Sequence, residues 1–120
     1  MTKKIFMIII LLTPIIWCHA QTIADVRNEL QRQGIPCADI VLAQARLETG
    51  NFTSARCKRD HNIFGIKHGG RYATYRRWQD CVSDYKRRVS SRYTGGDYYA
   101  FLRKIKYAAD ERYISKLKQF

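Results

Sequence analysis

Acid is scarce in this chain: 10 Asp and Glu stand against 22 Lys and Arg, a formal net charge of +12 over 120 residues. That imbalance favours a polyanionic partner, whether nucleic acid, anionic lipid or an acidic wall polymer, and charge alone does not choose among them. No sequence period recurs and no low-complexity tract interrupts the chain. The 2 prolines and 7 glycines are scattered singly or in pairs, so no linker or domain boundary is marked. At 120 residues there is room for one compact domain. An apolar content of 46% with 12% aromatics exceeds that of a solvated, disordered chain, so a packed core is expected.

A long hydrophobic run is also missing. The longest, Ile5 to Trp17, has 13 residues, short of the roughly 20 that a spanning helix needs, so no stable membrane insertion is expected. Behind the basic Lys3 and Lys4, and ahead of the small residues in Cys18-His19-Ala20, it reads as a secretory signal cleaved after Ala20. Trp17 before Cys18 argues against a lipid anchor, since lipoprotein signals place a small residue there. Cleavage leaves residues 21–120 as a single domain with 20 basic and 10 acidic residues, bound for the periplasm or the exterior. There, Cys37, Cys57 and Cys81 have an oxidising environment and allow one internal disulfide with one thiol left over, the pairing being open. A zinc site joining Cys57, His61, His68 and Cys81 lacks the closely spaced ligand pairs of such sites, so no metal and no cofactor is expected.

Residues 22–33 place Ile23, Val26 and Leu30 on one side, the spacing of a surface helix capped by Thr22 and stopped near Gly34. Residues 39–49 carry Ile40, Val41, Leu42, Ala43, Ala45 and Leu47, with little polar surface on any side, and predict the buried helix. Residues 64–78, with the Gly69-Gly70 pair, predict a small hairpin. Val82, Tyr85, Val89 and Tyr93 mark a helix N-capped by Asp80 and ended by Gly95-Gly96. Tyr98, Phe101, Leu102 and Ile105 mark another, and Tyr113, Ile114 and Leu117 a last short one starting around Asp110. The architecture is α+β and mainly helical.

Within the most apolar helix the acid Glu48 needs an explanation. It lies near the C-terminal, negative end of the helix dipole, with Gly50 as the cap, and both that position and partial burial disfavour its charged form. A carboxyl held neutral near pH 7 is what a general acid for glycosidic cleavage requires. Pairing with Arg46 or another surface base is the competing reading. Gln44, four residues earlier, shares the face of Glu48 and is a candidate substrate contact.

The run LAQARLETG (42–50), followed by Thr53-Ser54, NIFGIK (62–67) and YAADERYISKL (107–117), resembles the endo-β-N-acetylglucosaminidases of glycoside hydrolase family 73, the glucosaminidase-domain peptidoglycan hydrolases. The resemblance spans about residues 35–118. It implies a lysozyme-like fold with a groove between a helical lobe and a small β-hairpin lobe. It further implies Glu48 as general acid, Tyr107 beside the reacting sugar, and Asn62, Phe64 and Gly65 shaping the groove. For Phe64 and Tyr113, core packing competes with substrate contact. Tyr72 and Tyr75 are candidate stacking platforms for sugar rings, while Trp78 leans toward the core. Residues 65–79, the expected β-lobe, contain no Asp or Glu, and the nearest acids, Asp80 and Asp84, read as helix-start or helix-face residues. Substrate assistance by the 2-acetamido group, with Tyr107 steadying the developing charge, is therefore favoured over a two-carboxylate mechanism.

The expected function is secreted hydrolysis of the β-1,4 bond after N-acetylglucosamine in peptidoglycan glycan strands, by a monomer, with muramidase specificity as the variant reading. The rivals are a non-enzymatic cationic wall- or membrane-binding protein, which would not need Glu48, and a nucleic-acid-binding domain, against which the secretory signal argues.

Overall fold

Thr22 begins the first helix because its hydroxyl accepts from the Asp25 backbone N–H at 3.1 Å while the Asp25 carboxylate accepts from the Thr22 N–H at 2.9 Å. In the computed structural model, which describes residues 21–120, this cap opens α1 (Ile23–Arg32), whose Val26 and Leu30 are buried. The expected leader, residues 1–20, lies outside the described residues. A left-handed turn at Cys37, φ 53°, leads into α2 (Ala38–Thr49). This is the buried helix the sequence predicts: Val41, Leu42, Ala43, Gln44 and Ala45 are all buried, and both α1 and the C-terminal helix α6 (Tyr113–Leu117) pack on it.

The chain then departs from the expected pattern. Ser54 accepts from the Cys57 N–H at 3.1 Å and caps α3 (Ala55–Asp60), six residues too short and too polar to announce themselves by periodicity. Next come β1 (Lys67–His68) and β2 (Arg71–Tyr72), antiparallel, with Lys67 opposite Tyr72 and His68 opposite Arg71. Gly69 and Gly70 take φ of 57° and 78°, the pair of positive values that a two-residue hairpin turn demands.

The next helix, α4 (Trp78–Arg88), begins two residues before the expected cap. Asp80 lies inside its first turn, where an acid favours the helix dipole, and Arg77 occupies the cap position without a side-chain bond. α4 also ends well before Gly95-Gly96. Val89 donates to the Tyr85 carbonyl, and Arg92 to the Val89 carbonyl at 3.0 Å, tightening the chain into a single 3₁₀ turn, Ser90–Arg92. Asp97 caps α5 (Tyr98–Lys104) through the Tyr99 N–H. Asp110 forms a turn of its own, accepting from the Arg112 N–H and Lys116 Nζ, before α6 (Tyr113–Leu117) starts.

One core joins these elements. Val26 and Leu30 meet Val41, Ala45, Ile63, Phe64, Val82, Tyr85, Tyr98, Leu102 and Leu117, each 2% exposed or less. The expected disulfide is absent: Cys37, Cys57 and Cys81 are free thiols. Each sits in a different neighbourhood, Cys37 against the Tyr93 hydroxyl, Cys57 against Gln21 and Cys81 against Asn62. No helix among the described residues is long and apolar enough to cross a membrane.

Candidate active site

Between α2, the hairpin, α4 and the segment before α6 lies a cleft of about 420 Å³ lined by Glu48, Phe64, Gly65, Ile66, Lys67, Tyr72, Arg88, Val89, Tyr107 and Ala108. Glu48 is the one carboxylate in that lining. The turn that ends α2 fixes where it points. Gly50, Asn51 and Phe52 take φ of 56°, 57° and 67° in succession, and a positive φ at Asn51 and above all at the aromatic Phe52 is strained backbone. Thr49 holds the turn, donating its hydroxyl to the Ala45 carbonyl at 2.6 Å and accepting from the Phe52 N–H at 2.8 Å. Arg46, the partner that the competing reading gives Glu48, instead donates to Asn51 Oδ1 at 2.9 Å and lies over the Phe120 ring.

Glu48 opens toward the cleft, yet the protein around its carboxyl disfavours charge. Burial raises its proton affinity, and the Arg56 guanidinium and the Tyr113 hydroxyl offset only part of that rise, so the carboxyl sits above the usual carboxylate range. Gly65 closes in from the other side. Its φ is +65°, and a Cβ there would stand 3.0 Å from Glu48 Oε2, so both the backbone and the close approach require glycine.

Behind Glu48 runs a buried chain of hydrogen bonds. Gln44, 0% exposed, donates from Nε2 to the Tyr113 hydroxyl at 3.2 Å and accepts at Oε1 from the Tyr85 hydroxyl. With its own proton given to Gln44, Tyr85 accepts from the Tyr98 hydroxyl at 2.7 Å. Tyr113 receives from Gln44, which leaves its own proton for Glu48. Burial keeps the Tyr85, Tyr98 and Tyr113 hydroxyls protonated, so the chain presents a fixed donor to the carboxyl. Tyr107 is half-buried in the cleft wall, its ring 5.6 Å from that of Tyr113 and its hydroxyl 3.5 Å from the Phe64 carbonyl. Burial, then Tyr113 and the Glu48 charge, raise its proton affinity far above the ordinary, so it too is a neutral donor.

Of the residues singled out in the sequence, the cleft brings together Glu48, Phe64, Gly65, Tyr72 and Tyr107. Gln44 and Asn62 lie beneath it, and their polar atoms are used inside the protein. Asn62 donates to the Ile66 and Ala73 carbonyls at 2.9 and 3.0 Å and accepts from the Ile66 N–H, tying the cleft floor to the end of the hairpin. Tyr113, 8% exposed, is not in the cleft lining and bears on the site only through its hydroxyl's bond to Glu48. Tyr72 is 42% exposed, but the Arg56 guanidinium stacks 3.2 Å from its ring centre, so that face is taken. Tyr75 is turned away, its hydroxyl donating to Asp84 Oδ2 at 2.6 Å.

In sequence Arg88 stands among the basic residues Lys86, Arg87, Arg103, Lys104 and Lys106, which read as a solvated face or as a general attraction to acidic wall polymer and stem-peptide carboxylates. Neither Arg88 nor Lys67 is marked there as a cleft residue; the structure puts both in the lining. The signal for Arg88 was its spacing four residues after Asp84, an i,i+4 ion pair of 2.9 Å in the structure. Asp84 is only 4% exposed and also takes Arg87 and His68. Burial alone would raise its carboxyl; hydrogen bonds from Tyr75, Arg88 and His68 outweigh that and hold it at about 2. A carboxylate so fully engaged is an anchor for the hairpin lobe on α4.

The family model described as mannosyl-glycoprotein endo-beta-N-acetylglucosaminidase, the glucosaminidase domain, matches residues 23–120. The chain belongs to this glucosaminidase family. It is a glycoside hydrolase, an endo-β-N-acetylglucosaminidase, and the domain supports peptidoglycan as its substrate. No curated protein and no solved structure shows significant similarity to it.

Proposed function

We propose that this glucosaminidase is a secreted, monomeric hydrolase that cleaves the β-1,4 bond after N-acetylglucosamine in wall glycan strands, with Glu48 as general acid. The observation that carries the reading is the solitary carboxyl of the cleft, its proton affinity raised by burial, with Gly65 closing on it from the hairpin side. Glu48 gives its proton to the leaving glycosidic oxygen as that C–O bond breaks. With no second acid in the cleft lining, the nucleophile is the 2-acetamido oxygen of the same sugar, which closes on its own anomeric carbon, and water later opens the ring so formed. Tyr107, a neutral hydroxyl beside the reacting centre, supports the charge that develops. The short apolar run before Ala20 supports export to the periplasm or beyond.

Mass spectrometry of the fragments that wild type and Glu48→Gln release from purified peptidoglycan tests this. Reducing N-acetylglucosamine ends, missing with the variant, are the expected result. Reducing N-acetylmuramic acid ends would move the cut to the other bond, and no release by folded wild type would leave a cationic wall-binding protein.

A further inference from the structure

Two cations line the cleft beside its one carboxyl, and one of them is held in place in advance. Arg88, at the end of α4, donates from Nε to Asp84 Oδ1 at 2.9 Å, and Asp84 is itself buried and tied to Tyr75, His68 and Arg87. That commits one edge of the guanidinium. Its terminal nitrogens have no hydrogen-bond partner among the described residues, and the side chain is 46% exposed, in the cleft wall. A planar N–H edge fixed this way suits a carboxylate, and the ordering that a free arginine would have to undergo has already happened. Lys67 on β1 lines the same cleft, its Nζ 4.7 Å from the Tyr72 ring centre, whose ring also stacks on Arg56. No acid occurs from Gly65 to Gln79, so nothing on the hairpin cancels this field. A neutral sugar has no use for it.

We propose that Arg88 and Lys67 form a carboxylate subsite that receives the negative charge on the lactyl substituent of the wall strand. The charge is the lactyl carboxyl itself where the strand is bare, or a carboxylate of the attached stem peptide. This rests on the peptidoglycan-hydrolase reading and goes beyond it, because the subsite makes the enzyme choose charged wall strands over a neutral polymer with the same β-1,4 linkages. Arg88 supplies the directional contact and Lys67 the point charge, while Asp84 acts only by holding Arg88.

The purified enzyme is given three soluble substrates: strands with stem peptides, the same strands stripped of peptides by an amidase, and neutral N-acetylglucosamine oligomers. Release of reducing ends is read as kcat/KM, and the affinity of Glu48→Gln for the same three ligands is measured by calorimetry. The wild type should favour an anionic substrate over the neutral one by about tenfold, with the ratio falling as salt rises. Arg88→Met and Lys67→Met should each bring the ratio down several-fold, and Arg88→Lys less than Arg88→Met. Preference for the peptide-bearing strand assigns the carboxylate to the peptide, and preference for the bare strand assigns it to the lactyl group. A wild-type ratio near one, or a ratio that neither substitution moves, overturns the subsite while leaving the hydrolase standing. Should Arg88→Met fail to fold, Lys67→Met on the exposed hairpin decides alone. If the wild type cleaves none of the three, the hydrolase reading falls and the affinities decide: equal binding overturns the subsite, and anionic preference lost in Lys67→Met supports it.

Discussion

Glu48 Oε2 lies 3.0 Å from the point where a side chain on Gly65 would begin, so the proposed general acid and the hairpin lobe meet with no atom to spare. Gly65→Ala would put a methyl at that point and force φ of +65° on a residue with a Cβ, a backbone penalty of roughly 1–2 kcal/mol. Release of reducing ends should fall more than tenfold, since a misplacement of about 1 Å at a reacting group has that scale of effect. Denaturation should show a loss of no more than about 2 kcal/mol. Full activity in the folded variant would mean that Glu48 is not held where the cleft requires it.

With Glu48 as the proposed general acid, its proton should set the alkaline side of the activity profile. Burial holds its folded proton affinity above the unfolded value, so activity persists until Glu48 ionises and then falls. Tyr113 pulls the other way by donating to the carboxylate, and Tyr113→Phe removes that donor. Its alkaline limb should therefore move to higher pH. Gln44→Leu frees the Tyr113 hydroxyl to turn and should shift the limb in the same direction, whereas a purely structural role would lower the plateau without moving the limb.

The same shift has a stability sign. A carboxyl with a raised folded value binds more protons in the folded state, so its contribution weakens as pH rises from the unfolded carboxylate range through the folded value. At neutral pH Glu48→Gln should melt at or above the wild-type temperature while losing activity. Scanning calorimetry at neutral and mildly acidic pH checks it, and the gap between the two proteins should close on the acid side.

Much of this was legible in the residues. Thr22 gave the first cap, the Gly69-Gly70 pair gave the turn, and the lone Glu48 ahead of Gly50 falls in the cleft lining. What escaped depended on tertiary context. Gln44 and Asn62 look like groove residues in sequence, because a polar side chain on an apolar helix or in a loop reads as a contact. Only the fold shows that the partners of Gln44 are Tyr85 and Tyr113, and that Asn62 spends its amide on backbone. α3 has too few residues for a hydrophobic period, and Tyr72 gave no hint that an arginine from α3 would cover it. The cysteines misled for a related reason: a compartment can oxidise thiols, but only geometry brings two of them together.

Free thiols are directly countable. Residues 21–120 should yield three reactive thiols in denaturant, and reducing agent should leave the melting temperature of the native protein unchanged. Within the fold the Cys81 thiol is pushed up to about 12 by burial, so it should react with a thiol reagent only as fast as the protein opens. Two missing thiols in the denatured protein would establish a disulfide that the structure does not contain.

Asp84 is where the hairpin lobe is fastened to α4, through Tyr75 at 2.6 Å and His68 at 2.8 Å. Replacing it with Asn keeps the shape but strips the charge from under Arg87 and Arg88, and should lower unfolding free energy by about 1–3 kcal/mol in urea at neutral pH. Its folded value of about 2 lies below that of an unfolded aspartate. The stabilisation is therefore fully present above the unfolded value and lost as pH falls through the folded one, so wild type and Asp84→Asn should converge between about pH 4 and pH 2. Activity should fall as well, because Arg88 loses the partner that fixes it and the hairpin bearing Lys67 and Tyr72 loses its anchor. An Asp84→Asn protein that is as stable as wild type at neutral pH would show that Tyr75 and His68 hold the lobe without the charge.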